Sequence, residues 1–304
     1  MRGYDLPTDQ YALYRTSQHG LGLARGDTRV AVCTDCHGIH DILPASHPQS
    51  RVFSRQIPET CGQCHGDMAL MARYGKEDNV YQDYLTSVHA QELLHGNPNA
   101  PECSRCHGVH GAAPPGTGDV DRVCGSCHRA EREAFLEGPN SVDLVAAGLP
   151  ECGACHGNHS VQPVIPGNLA DGCAECHGSE SDETALGERM DVLFRRAHEE
   201  ISRARDLIEQ ARQVPIYVED HLARLEEAQT YILEAEPAVH AVSIEEVERF
   251  ARPARSLGQE IQTEIEGELE ELKLRRLGLV VFWFYLLMTF WILLRGRKSL
   301  LSET

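Results

Sequence analysis

The sequence predicts a mostly α-helical chain in three parts. These are an N-terminal part with little regular structure beyond short helices, a helical hairpin or bundle, and one transmembrane helix. Three observations carry this. All twelve cysteines fall in short repeated clusters between Cys33 and Cys176, apolar residues recur at steps of three and four after His177, and Leu277 to Leu294 is free of charge. The 304 residues suffice for two modest domains, but the 41% apolar share includes the cysteines and the dense run near the end. Few apolar side chains are left to build an ordinary core. A net charge of −18 and a pI near 5.3 exclude nucleic acid and anionic lipid heads as partners, because both repel the chain.

Every cysteine belongs to a Cys-x-x-Cys-His unit: Cys33/Cys36/His37, Cys61/Cys64/His65, Cys103/Cys106/His107, Cys124/Cys127/His128, Cys152/Cys155/His156 and Cys173/Cys176/His177. Zinc knuckles and redox dithiols use the Cys-x-x-Cys pair equally well, but neither requires the histidine that follows. Here six units of six carry it and no cysteine is left over. The unit attaches c-type haem: both thiols form thioethers with the porphyrin vinyls, and the adjacent histidine becomes the proximal iron ligand. Six haem c groups follow, with His37, His65, His107, His128, His156 and His177 proximal. Six macrocycles also supply the apolar mass that the side chains lack, so residues 1–180 are expected to pack as a six-haem domain.

Ten histidines lie outside these units: His19, His40, His47, His89, His95, His110, His159, His198, His221 and His240. Three recur as Cys-His-Gly-x-His, at His40, His110 and His159. Two recur as Tyr-x-x-Ser-x-His, at His19 and His89, each fourteen residues before an attachment cysteine, Cys33 and Cys103. These five are expected as distal ligands. The domain is thus an internal repeat reading distal His, CxxCHGxH, CxxCH, in three two-haem modules at about 1–80, 81–130 and 131–180. Repeats two and three run in register at an offset of 49 residues, mapping Cys103 to Cys152 and Cys124 to Cys173. Repeat three lacks one ligand: no histidine occurs between His128 and His156, and the counterpart of His89 falls near Gly138 and Asn140. His198 on the first long helix is the expected substitute, with His240 next and His95 third. His47 is expected on the surface.

These residues resemble the multihaem cytochromes c of the cytochrome c3 family, with the SxH, CHGxH and CxxCH pattern shared by octahaem cytochromes. The resemblance covers residues 11–180. It implies bis-histidine, low-spin haems close enough to form an electron wire, attached outside the cytoplasm, and it implies no particular substrate.

After His177 the stripe Met190, Leu193, Ala197, Ile201, Ala204, Ile208 and Ala211 marks an amphipathic helix. Breaks are expected at Pro215 and Pro237, around a second helix from Val218 to Ala235. A third runs from Ile244 with Leu257, Ile261, Ile265, Leu269 and Leu272 as its stripe. Residues 181–275 form this helical region, 276–295 the transmembrane helix and 296–304 a cytoplasmic tail. Eighteen uncharged residues make about 27 Å of helix, close to the roughly 30 Å apolar thickness of a bilayer. Trp283, Tyr285 and Trp291 add aromatic anchors. Flanking charge does not orient the span, since Lys273, Arg275 and Arg276 balance Arg295, Arg297 and Lys298. The haem resemblance does, placing the N-terminal domain on the periplasmic side of a bacterial or archaeal cytoplasmic membrane, with a single pass. No apolar segment follows Met1, so an upstream extension carrying an export signal is expected.

The function expected is respiratory electron transfer between a quinol-oxidising or cytochrome b-type membrane subunit, or other cytochromes, and an extracytoplasmic acceptor. No catalytic residue stands out. The competing reading is a haem reductase of a small nitrogen or sulfur substrate, such as nitrite, hydroxylamine or tetrathionate, which needs one iron with an open distal position.

Overall fold

The structure is a computed structural model, and it describes residues 7–116, 118–162 and 167–302, with side chains to Arg295. The start of the chain and the tail expected at 296–304 lie outside the described side chains. The described residues are helical and contain no strand. Contacts divide the chain into two compact units, Met1–Ile165 with His240–Val242, and Pro166–Val239 with Ser243–Thr304. The sixth attachment unit therefore belongs to the second unit.

The first unit is built from short helices: α1 (Gln10–Thr16), α2 (Gln18–Ala24), α3 (Cys33–His37), α4 (Ile57–His65), α5 (Met68–Met71), α6 (Val80–Thr86), α7 (Val88–Leu94), α8 (Cys103–His107), α9 (Val120–Gly125), α10 (Arg129–Glu137), α11 (Asn140–Ala146) and α12 (Glu151–His156). Regular structure is thus not confined to the attachment units, because each Tyr-x-x-Ser-x-His motif makes a helix pair of its own. Ser17 and Ser87 are fully buried N-caps, whose hydroxyls accept from Gly20 N at 3.0 Å and Ala90 N at 3.1 Å. The tyrosine reaches forward: Tyr14 donates to the Ala31 carbonyl at 2.9 Å and Tyr84 to the Pro101 carbonyl at 3.0 Å, each two residues before an attachment cysteine. The motif therefore starts a helix, places a histidine in its first turn and ties it to the next CxxCH.

Successive repeats are joined by the same rung. Gln18 N donates to the Ala112 carbonyl at 3.1 Å, and Val88 N to the Val161 carbonyl at 3.0 Å. In each case the SxH helix of one repeat meets the chain two residues beyond the CHGxH histidine of the next. The glycine of that motif has positive φ in all three repeats, +79° at Gly38, +82° at Gly108 and +75° at Gly157, so the chain leaves the attachment helix in a direction closed to other residues.

The second unit contains α13 (Leu169–His177), α14 (Asp182–Arg212), α15 (Glu219–Ala238) and α16 (Ile244–Ser302). Alternating large and small residues fill its core, with Ala197, Ile201, Ala204 and Ile208 of α14 against Leu225, Ala228 and Ile232 of α15 and Ala254, Ile261 and Ile265 of α16. The second helix ends one residue after Pro237, which sits in its last turn, and a 3₁₀ turn follows at Val239–Ala241. The side chain of Asp191, 4% exposed, accepts from Gly167 N at 2.8 Å and from Leu169 N and Ala170 N at 3.3 Å, tying the start of α13 to α14. α16 carries a stretch of mean hydropathy 2.3 with none of it buried, the one among the described residues long and apolar enough to cross a membrane. Its apolar side chains are open to the outside, Leu277 by 62% and Leu293 by 71%.

Candidate cofactor site

Each Cys-x-x-Cys pair is presented on or beside a turn of helix, so two thiols three residues apart share a face with the histidine next to them. Six of the twelve thiols are exposed, those of Cys33, Cys64, Cys106, Cys127, Cys155 and Cys176. The reason lies in how attachment works: a porphyrin vinyl reaches the sulfur from outside the polypeptide, so the thiol has to project from the surface of the helix. Cys127 lies beyond its helix, because α9 ends at Gly125. Ser126 turns its hydroxyl back to the Val123 carbonyl at 2.8 Å, and Cys127 follows in a turn, its N donating to the Cys124 carbonyl at 3.1 Å. Cys155, by contrast, lies within α12.

The twelve cysteines form no disulfide. Cys61 and Cys103 share a hydrogen bond, as do Cys124 and Cys152. In each pair the thiol that keeps the proton is pushed up, and its partner is lowered, Cys124 to about 7. The second unit of each repeat therefore abuts the first unit of the next. Within repeats the units are also neighbours, since Cys36 feels Cys61, and Cys106 feels Cys124 and Cys127, electrostatically. Five attachment units follow one another in space as they do in sequence.

Five of the six attachment histidines face a second imidazole. The pairs and the separations of their ring centres are His19 and His65 at 6.1 Å, His37 and His110 at 6.1 Å, His89 and His128 at 6.2 Å, His107 and His159 at 5.9 Å, and His156 and His240 at 6.1 Å. Two imidazole–metal bonds of about 2.0 Å, with each nitrogen about 1.1 Å from its ring centre, put opposing axial imidazoles about 6 Å apart. The residues present thus fit an iron between each pair. Burial lowers the pKa of His19, His37, His65, His89, His156 and His159, favouring the neutral imidazole that a metal requires. His107 turns Nδ1 to the Ala113 carbonyl at 3.2 Å, where it can only donate, which leaves Nε2 as the metal-facing atom.

The pairs obey a rule. An SxH histidine faces the second attachment histidine of its own repeat, as His19 does His65 and His89 does His128. A CHGxH histidine faces the first attachment histidine of the repeat before, as His110 does His37 and His159 does His107. The rings of the CHGxH-type pairs lie 16° and 19° from parallel and those of His156 and His240 lie 23°, whereas the SxH pairs are tilted by 55° and 41°.

The rule decides where the remaining expected ligands stand. His40 belongs to the first repeat, its side chain is exposed, and among the described residues no attachment histidine stands opposite it. His198 is exposed on α14, sixteen residues beyond Asp182 and so about 24 Å along the axis from the end where His177 lies. His198 was the expected substitute in repeat three; the histidine that stands opposite an attachment histidine there is His240, which a 3₁₀ turn after α15 brings to His156. Sequence reasoning also missed Gly138, whose side-chain position is filled by that turn: a Cβ there would lie 2.8 Å from the His240 carbonyl oxygen. His47 and His95 are exposed, and His221 is buried in the helical unit between Glu264 and Glu268, at 3.6 and 3.5 Å.

Residues 26–129 match the family model described as cytochrome c3. The match takes in the first four attachment units and ends one residue after His128. No curated protein and no solved structure matches the chain.

Proposed function

We propose that the chain is a multihaem c-type cytochrome that binds six haems and serves as a membrane-tethered electron conduit, a reading supported by the cytochrome c3 match over residues 26–129 and by an apolar C-terminal helix that fits a single-pass anchor. The haems are held by Cys33/Cys36, Cys61/Cys64, Cys103/Cys106, Cys124/Cys127, Cys152/Cys155 and Cys173/Cys176. His37, His65, His107, His128, His156 and His177 are the proximal ligands, and His110, His19, His159, His89 and His240 close the first five in that order. The observation that carries the reading is the set of five imidazole pairs at 5.9–6.2 Å, each joining an attachment histidine to one from elsewhere in the chain.

Haem supplies one-electron Fe(III)/Fe(II) chemistry. The chain would offer imidazole to both faces of five of the six irons and places consecutive attachment units side by side. Such an arrangement passes electrons on rather than transforming a bound substrate. A quinol-oxidising or cytochrome b-type membrane subunit is the donor proposed, since α16 holds the protein at the bilayer, and the acceptor is extracytoplasmic. Protein adsorbed on an electrode tests the connected path: six electrons per chain should be exchanged reversibly, whereas a charge of one or two per chain would refute it.

A further inference from the structure

Repeats one and two close their second haem with the SxH histidine, His19 for His65 and His89 for His128. Repeat three has glycine at that place, since Gly138 lies 49 residues beyond His89. The space is not empty. The backbone of His240 and Ala241 covers Gly138, and a Cβ on it would come within 2.8 Å of one backbone atom and 3.1 Å of two others. The segment that displaces the expected ligand thus closes the first haem of the repeat, through His156, and leaves the second without its usual partner.

The second unit holds two other histidines, His198 and His221, and neither stands opposite His177 at the separation of the five pairs. Within the second unit, His198 sits about 24 Å along α14 from its start. His221 is buried beside Glu264 and Glu268. Met190 is committed to the core with Phe194 and Val247. The His177 ring itself is 48% exposed, and its Nδ1 lies 3.8 Å from the Glu183 carboxylate. A carboxylate on that side favours Nε2 as the iron ligand and makes the imidazole a stronger donor.

We propose that the haem on Cys173 and Cys176 is closed by imidazole on the His177 side only and takes a small neutral ligand on the other. This rests on the six-haem reading above. The charge around the site sets the ligand class: Asp171, Glu175, Glu180, Asp182, Glu183 and Glu188 surround His177 in sequence with no lysine or arginine among them. Anions such as nitrite, tetrathionate or azide must approach the Glu183 carboxylate beside His177 and an acidic stretch of chain, whereas carbon monoxide, nitric oxide or hydroxylamine meet no such barrier.

The test uses detergent-extracted holoprotein whose haem content has been counted. Reduced protein should bind one carbon monoxide per chain, and the Cys173→Ala/Cys176→Ala variant, retaining five haems, should bind none. Six haems with no carbon monoxide uptake would overturn the proposal. Five haems or fewer in the parent would instead remove the six-haem reading and the proposal with it. Uptake only in a His40→Ala variant would mean that a second copy's exposed His40 closes the site, which also overturns it. On the oxidised protein, azide should bind more tightly as salt rises from about 0.01 M to about 0.5 M, because screening weakens the carboxylate field. Azide affinity indifferent to salt would refute the neutral-ligand assignment.

Discussion

His240 reaches its partner across 84 residues of sequence, and its removal gives a countable result. The ring centres of His156 and His240 lie 6.1 Å apart, the separation that an iron with two axial imidazoles imposes. In His240→Ala nothing else on the 3₁₀ turn can span that gap, so one haem of six should change from low to high spin. Reduced protein should then bind two molecules of carbon monoxide per chain where the parent binds one. Gly138→Ala tests the same ligand without touching it. Its Cβ would sit 2.8 Å from the His240 carbonyl oxygen, and reaching ordinary contact at 3.4 Å requires the turn to retreat by 0.6 Å. A metal–nitrogen bond of about 2.0 Å cannot stretch that far, and the overpacking costs about 1–3 kcal/mol. Gly138→Ala should therefore show a fractional version of the same high-spin signal. Carbon monoxide stoichiometry by optical titration decides the matter, and uptake unchanged from the parent in both variants would refute the assignment of His240.

Other consequences follow from the same geometry. Three near-parallel and two tilted imidazole pairs should give two classes of low-spin signal in the electron paramagnetic resonance of the oxidised protein, in a ratio of three to two; a single class would contradict the ring angles. Tyr84→Phe removes the hydroxyl bond to the Pro101 carbonyl and should lower stability by about 1 kcal/mol in denaturant titration, with all haems retained. Glu151 is 2% exposed, one of its oxygens has no hydrogen-bond partner, and burial followed by the Asp121 charge raises its pKa. A raised carboxylate costs stability as pH climbs past its unfolded value of 4.5, so Glu151→Gln should raise the melting temperature at pH 7 and change it little at pH 4. A chain ending at Arg276 lacks the exposed apolar helix and should appear in the soluble fraction after export, whereas continued membrane retention would point to a second attachment.

The Cys-x-x-Cys-His units were legible because the motif is local, complete within five residues. The exposure of thiols such as Cys127 and Cys155 was not, since spacing pairs two sulfurs without saying which side of the pair the chain covers. The amphipathic stripes of α14 and α16 were legible because a long helix repeats its burial pattern every turn. The pairing of histidines was hidden, because His110 faces His37 rather than an attachment histidine of its own repeat. That choice is made by rungs such as Gln18 N to Ala112, which no spacing reveals. His40 carries the same motif as His110 and was expected to act alike, but among the described residues no attachment histidine faces it, and the motif alone does not show which repeat its histidine faces. His240 lies outside every repeat, and its one signal was position, in the break after Pro237 where the chain must turn between two long helices. Gly138 reads as a gap in the sequence and is a contact in the fold.

The central claim is that each of the six Cys-x-x-Cys-His units carries a covalent haem. The mass of the intact holoprotein, measured after acid–acetone treatment that strips non-covalent haem, tests it most directly. The account predicts an excess over the polypeptide equal to six haem groups, and an excess of five or fewer would contradict it.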